Sequence, residues 1–118
     1  ITVIIGNEGG KTLTFDETDL PWHVDSEKLT LALIQEDRFL KEPIRRTPII
    51  VDPRVSLPVS IKTGEVKSQN VYLDRYYNDL LSALLRHDVT ILWVYRPSPK
   101  NAKEFQPLTG QLRLPRIQ

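Results

Sequence analysis

The chain has 118 residues, no cysteine, two histidines and a formal net charge of +1, and this length suits one domain of ordinary size rather than two independent cores. A composition of 40% hydrophobic and 26% charged residues excludes a wholly disordered or fibrous protein, and the lack of cysteine excludes disulfides, thiolate nucleophiles and cysteine-based metal sites. No apolar run is long enough to span a bilayer and no signal peptide opens the sequence, so we expect a soluble protein whose compartment is not specified.

Charge is unevenly distributed along the chain. Residues 1–44 carry a net charge of −5, residues 45–95 carry +2 and residues 96–118 carry +4. An acidic front and a basic end favour electrostatic pairing with another protein subunit or with a second copy of the chain. The alternative is a solvated surface with a loose tail.

The first predicted elements are two strands. The β-prone runs Thr2–Ile5 and Lys11–Phe15 are separated by the glycine-rich segment Gly6–Gly10, which predicts an N-terminal hairpin. The same segment, followed by Lys11 and Thr12, resembles a phosphate-binding P-loop, but it is one residue too short and continues into a strand instead of a helix.

A first helix is predicted after residue 25. Asp25 and Ser26 are suitable N-caps, and Pro43 ends the segment. Three leucines fall on or near one helical face: Leu29, Leu33 and Leu40. A competing interpretation is a strand, because leucines also alternate with a period of two: Leu29, Leu31 and Leu33. The caps and the proline stop favour the helix.

Four prolines between Pro43 and Pro58 favour edge strands and irregular crossings. We predict a short strand over Pro48–Asp52. A second hairpin is predicted from Val59–Ile61 and Val66–Tyr72, which flank the turn residues Thr63 and Gly64.

The clearest predicted element is an amphipathic helix over residues 73–86, followed by a strand over residues 89–95. The helix has apolar residues at three- and four-residue spacing, namely Leu73, Tyr76, Tyr77, Leu80, Leu81, Leu84 and Leu85. The strand is apolar on both faces, which predicts the centre of a sheet. If this stripe is buried, Leu81→Asp should unfold the protein.

Beyond Tyr95 the sequence becomes proline-rich and basic. We expect residues 96–118 to form an extended arm that lies on a sheet edge of its own domain or on a neighbouring subunit. Arg113 and Arg116 would then face acidic side chains, for which the Asp16–Glu27 segment is the candidate. The predicted fold is therefore a single α+β domain over residues 1–95, with a small mixed β-sheet, an N-terminal hairpin, two packed helices and the central strand, and the arm over residues 96–118.

One set of residues suggests catalysis. Asp52 is followed thirteen residues later by Glu65 and then Lys67, and this pattern resembles the PD-(D/E)xK superfamily of metal-dependent nucleases. The resemblance implies that Asp52 and Glu65 hold Mg²⁺ while Lys67 helps to activate water or stabilise the developing charge. The same pattern arises easily by chance in a chain with this many acids and lysines.

A second set combines aromatic and basic side chains and would suit non-catalytic nucleic-acid binding. It consists of Trp93, Tyr95, Arg96, Lys100, Lys103, Arg113 and Arg116. Core packing of the two aromatic residues explains the same pattern.

The favoured hypothesis is a non-catalytic protein–protein interaction or assembly module that forms part of a larger protein or complex. It needs no cofactor and does not act at a membrane, and its partners are other protein subunits or a second copy. Its predicted interaction residues are Arg75, Tyr76, Leu112, Arg113, Leu114 and Arg116. The nuclease and the nucleic-acid-binding domain are the alternatives.

Overall fold

The structure is a computed structural model that describes residues 1–24, 27–36, 41–47, 56–103 and 105–117. Strand residues make up 44% of it and helical residues 11%, and its single α-helix is shorter than seven residues. The predicted α+β class with two packed helices is therefore wrong, and the fold is predominantly β. No described helix is long and apolar enough to cross a membrane.

The described residues form eight strands and one short helix. The strands are β1 (Thr2–Gly6), β2 (Leu13–Asp16), β3 (Leu29–Glu36), β4 (Lys41–Ile44), β5 (Pro58–Ile61), β6 (Val66–Asn70), β7 (Asp88–Tyr95) and β8 (Leu108–Leu114). The helix, α1, is Leu80–Leu84, and single 3-10 turns form at Glu17–Asp19 and Leu73–Arg75.

The chain divides into two compact units. The first comprises Ile1–Thr30, Asp52–Val71 and Val94–Leu108, and the second comprises Leu31–Val51, Tyr72–Trp93 and Thr109–Gln118. The proposed boundary between a domain over residues 1–95 and an arm over residues 96–118 stays a prediction.

In the first unit the strands pair as two antiparallel ribbons, β1 with β6 and β2 with β5. Both predicted hairpins are therefore wrong, because each strand pairs with a partner distant in sequence instead of its neighbour. Pairing β2 with β5 brings Phe15 and Ile61 into one buried cluster with Leu20, so shared burial decides the pairing. The predicted turn does form: Gly64 has a φ of 81° and the Glu65 N–H donates to the Lys62 carbonyl at 2.9 Å.

The second unit contains most of a four-stranded sheet with the order β4-β3-β7-β8. Strand β4 pairs with β3 in antiparallel register, from Leu33 opposite Ile44 to Glu36 opposite Lys41. β7 covers the predicted strand 89–95 and lies between β3 and β8. Its residues Val89 and Ile91 are buried.

The helix predicted after residue 25 is wrong over its described part, because Leu29–Glu36 is strand β3. Side chains of β3 alternate in exposure, with Leu33 buried and Thr30 and Ala32 exposed. The period of two therefore prevails over the helical spacing, since pairing with neighbouring strands outweighs local propensity. The proposed caps Asp25 and Ser26 and the predicted strand Pro48–Asp52 lie outside the described residues.

The helix predicted over residues 73–86 shrinks to a 3-10 turn and the five residues of α1. The main chain between them bonds to residue 47 instead: the Thr47 N–H donates to the Tyr76 carbonyl at 2.8 Å, and the Asn78 N–H donates to Thr47 Oγ1 at 3.0 Å. The buried residues are Leu73, Tyr77, Leu80, Ala83 and Leu84. Leu81 and Leu85 are 53% and 64% exposed, so the predicted burial of Leu81 is wrong.

Candidate functional site

The nuclease-like residues are only partly described. Asp52 lies outside the described residues. The Glu65 carboxylate accepts a hydrogen bond from the Lys62 N–H at 3.2 Å, and Lys67 lies in β6 opposite Ile5. Across the described ranges, no three His, Asp or Glu side chains are grouped closely enough to hold a metal ion. The convergence of Asp52, Glu65 and Lys67, with a bound Mg²⁺, stays a prediction.

The glycine-rich loop between β1 and β2 is closed by the side chain of Asn7. The buried Asn7 amide donates to the carbonyls of Lys11 and Ile61, both at 2.8 Å. Its oxygen accepts from the Gly9 N–H at 3.0 Å. The Asn7 side chain thus bonds to the backbone of the loop and of β5, and the Lys11 ammonium donates to the Asn101 carbonyl at 2.9 Å. This loop is a structural connection between the two ribbons.

Two members of the aromatic and basic set, Tyr95 and Lys100, are engaged in internal contacts. Tyr95 is buried, and its hydroxyl donates to the Asp19 carbonyl at 2.7 Å. Burial raises the pKa of Tyr95, and the Asp19 charge adds to this effect. The Lys100 ammonium lies 2.7 Å from the Asp16 carboxylate. Tyr95 is therefore closed to base stacking, and the charge of Lys100 is already balanced.

The predicted interaction residues Arg75 and Tyr76 contact different partners. The Arg75 guanidinium lies over the exposed ring of Tyr72, 4.7 Å from its centroid. Tyr76 is half-buried, and the Arg46 guanidinium lies 5.9 Å from its ring centroid. The exposed aromatic residue beside Arg75 is therefore Tyr72, which the sequence analysis did not select.

Arg113 and Arg116 converge on one acid. The Arg113 guanidinium forms an ion pair with the Asp88 carboxylate, and the backbone N–H of Arg116 donates to the same carboxylate at 2.7 Å. Within one chain, the expected pairing of Arg113 with the Asp16–Glu27 segment is wrong, because its guanidinium pairs with Asp88 at the start of β7. Pairing of the Arg116 side chain, or pairing with that segment of a second copy, stays a prediction. The Arg116 N–H, followed by the Arg113 side chain, lowers the pKa of Asp88.

The segment that follows β8 is anchored a second time, because the Ile117 N–H donates to the Leu84 carbonyl at 2.7 Å. Together with the Asp88 contacts, this bond ties the end of the described chain to β7 and α1. β8 therefore has fixed anchors on its C-terminal side.

β8 also sits closely against the Trp93 ring. A Cβ atom added to Gly110 would lie 2.5 Å from the Trp93 side chain. Non-bonded carbon atoms do not approach this closely, so any larger residue would overlap the ring. A glycine inside a strand often marks such a close approach. Gly110 therefore allows the β8 backbone to pack directly on the indole of β7.

β8 is an edge strand with an unprotected outer side. The sheet order ends at β8, so none of the described strands pairs with its outer backbone groups. Leu108 and Leu112 are 53% and 42% exposed. Its one charged residue, Arg113, is already paired with Asp88. Natural edges are usually protected by charges, prolines or coverage, and β8 has little such protection.

The predicted residues Leu112, Arg113 and Leu114 thus lie on this edge, and Arg116 lies just beyond it. Leu114 is half-buried, whereas Arg113 is exposed beside Asp88. Sequence analysis placed these residues on an arm and missed the contribution of Gly110. A search with this chain against protein-family models, curated proteins and solved structures finds no match in any of the three.

Proposed function

We propose that this protein is a non-catalytic protein–protein interaction or assembly module that binds an extended segment as an added strand along β8. The observation that carries the proposal is the open β8 edge, seven residues long, with no proline and no uncompensated charge. Proteins commonly recognise extended peptides in this way, with main-chain hydrogen bonds supplying affinity and alternate side chains supplying specificity.

The chemistry of the edge suits such a ligand. Alternate residues of an edge strand direct N–H and C=O groups outward, and each added hydrogen bond contributes about 0.5–1.5 kcal/mol net. The exposed Leu108 and Leu112 add apolar contact. Thr109 and Gln111 are exposed and polar, so the opposite face of an added strand can stay hydrated. The ligand expected here is an uncharged, β-prone segment.

A selection from a display library of random peptides tests the proposal. The wild-type chain should enrich extended, β-prone sequences. The variant Leu108→Lys/Leu112→Lys should not, because it places on β8 the charges that natural edges use for protection. The matched control is Ile4→Lys/Leu57→Lys, which changes two similarly exposed residues elsewhere and should enrich the same peptides as wild type. Equal enrichment on the β8 variant, or none on a wild-type chain that is monomeric, would contradict the proposal.

A parallel assay addresses the nuclease alternative. The chain and its Lys67→Ala variant are incubated with plasmid and with single-stranded DNA in Mg²⁺ or Mn²⁺. We expect no cleavage by either protein. Cleavage by wild type that disappears in Lys67→Ala would replace the interaction module with the nuclease.

A further inference from the structure

We infer that the strand added to β8 is β8 of a second copy, antiparallel, with the two-fold axis at Gln111. The inference rests on the proposed function and names the occupant of the same edge. Joining two copies in this way would extend each four-stranded sheet into its partner across β8. The sequence of the edge, Leu-Thr-Gly-Gln-Leu-Arg-Leu over residues 108–114, is complementary to itself in that arrangement.

In this register the apolar faces of the two β8 strands lie on the same side of the joined sheet. With Gln111 opposite Gln111, Leu108 lies opposite Leu114 of the second copy, and Gly110 lies opposite Leu112. Residues directly opposite in an antiparallel pair share one face of the sheet, so leucines from both copies gather on the face that carries Trp93. The second copy's Leu112 would lie beside Gly110 and contact the Trp93 ring that covers this glycine. This contact would cover Leu112, which is 42% exposed in a single chain.

The polar faces of the two β8 strands also lie opposite each other. Thr109 lies opposite Arg113 of the second copy, and the two Gln111 side chains face each other, an arrangement in which amides can exchange hydrogen bonds. No like charges are directly opposite, and each Arg113 keeps its own Asp88 as counter-ion. Like charges directly opposite would destabilise the pair, so the edge is electrostatically suited to itself.

Two prolines fix the register. Pro107 and Pro115 lie just outside the strand, each four residues from Gln111. Since proline has no N–H, each end of the self-paired ladder stops at the same place. A shift of one residue would place the leucine face of one copy beside the polar face of the other. The arrangement centred on Gln111 is therefore the register that satisfies both faces and both ends.

A charge-swap experiment tests this register with the full chain. Sedimentation equilibrium is measured for wild type, Gln111→Lys, Gln111→Glu and an equimolar mixture of the two variants. Wild type should dimerise, and each variant alone should show an association weakened about tenfold or more, because two like charges meet at the axis. The mixture should recover association as a heterodimer, because opposite charges then meet there.

Gln69→Lys is the matched control, because Gln69 is an exposed glutamine in strand β6, and it should dimerise like wild type. Thermal unfolding of each variant checks that the fold is retained. A wild-type chain that stays monomeric up to about 1 mM, or a dimer that the two Gln111 variants do not change, would overturn the self-pairing.

The two experiments together separate failure of self-pairing from failure of the proposed function. Peptides that enrich on wild type but not on Leu108→Lys/Leu112→Lys, together with a monomeric chain, would overturn self-pairing and support strand addition by another protein. A monomeric chain that also enriches no peptide would overturn both.

Discussion

The two edges of the four-stranded sheet differ in composition far more than in exposure. At one edge, β4 reads Lys41-Glu42-Pro43-Ile44, with its first three residues exposed. At the other, β8 is also largely exposed, yet its residues are neutral apart from Arg113, which Asp88 balances. Charges and an internal proline discourage pairing. β4 thus carries the features that protect a sheet edge, whereas β8 carries few of them.

The largest expected effect concerns the buried side chains of α1 in the second unit. Leu80 is 4% exposed, while its neighbour Leu81 is 53% exposed. Leu80→Asp should lower the free energy of unfolding by about 3–5 kcal/mol, because it buries an unpaired charge. Leu81→Asp should change it by less than about 0.5 kcal/mol. Urea unfolding measures both, and a severe loss for Leu81→Asp would show that α1 is buried on a different side.

The next largest effect on stability concerns the packing of β8 against the Trp93 ring. Gly110→Ala should lower the free energy of unfolding by about 1–3 kcal/mol, because the new methyl group overlaps the indole. It should also change the fluorescence of Trp93, measured in a Trp22→Phe background. The control is Gly10→Ala, where the added Cβ meets nothing within 4 Å. Equal stability of the two alanine variants would show that β8 does not rest on the ring.

A variant of β4 can be made to resemble β8 in composition. Lys41→Thr/Pro43→Val removes a charge and restores a backbone N–H at β4. Each new intermolecular hydrogen bond should contribute about 1 kcal/mol, so this variant should form assemblies larger than those of wild type. Light scattering measures the mass. An unchanged mass would mean that composition does not protect β4.

The smallest effect is a pH dependence at the Asp88 contacts. Since the folded-state pKa of Asp88 lies below its ordinary value, the ionised carboxylate stabilises the folded chain. This contribution is complete above the ordinary pKa, near 4, and is lost as the pH falls through the folded-state pKa. Asp88→Asn should therefore remove part of the acid sensitivity seen in urea unfolding. Asp74→Asn, at another exposed aspartate, is the control, and identical acid profiles for Asp88→Asn and wild type would refute the effect.

Sequence patterns predicted strand β7 better than strand β3. Residues 89–95 are apolar on both faces of a strand, which is typical of the centre of a sheet, and they form most of β7. At residues 29–36, Leu29 and Leu33 fit both a helix and a strand, and Leu31 alone favoured the strand. The nearby caps then led to the wrong choice. The two predicted hairpins were wrong for a different reason. Turn residues show where the chain reverses, but burial of Phe15 with Ile61 decides which strands pair.

The candidate site was predicted in part. Leu112, Arg113, Leu114 and Arg116 were identified as interaction residues, and they lie on or beside the edge of the sheet. The partner of Arg113 within the chain was predicted wrongly, because Asp88 is 25 residues from Arg113 and such a pair depends on tertiary structure. Gly110 takes the alternate position between Leu108 and Leu112, and a glycine at such a strand position is a sign of close packing.

We propose that β8 is the open edge of the sheet and β4 the closed one. Amide hydrogen exchange, measured residue by residue at low and high protein concentration, tests it most directly. We expect the outward N–H groups of Leu108–Leu114 to exchange about tenfold more slowly at high concentration, while those of Lys41–Ile44 keep the same rates. Exchange in β8 that is independent of concentration, or an equal slowing at β4, would contradict it.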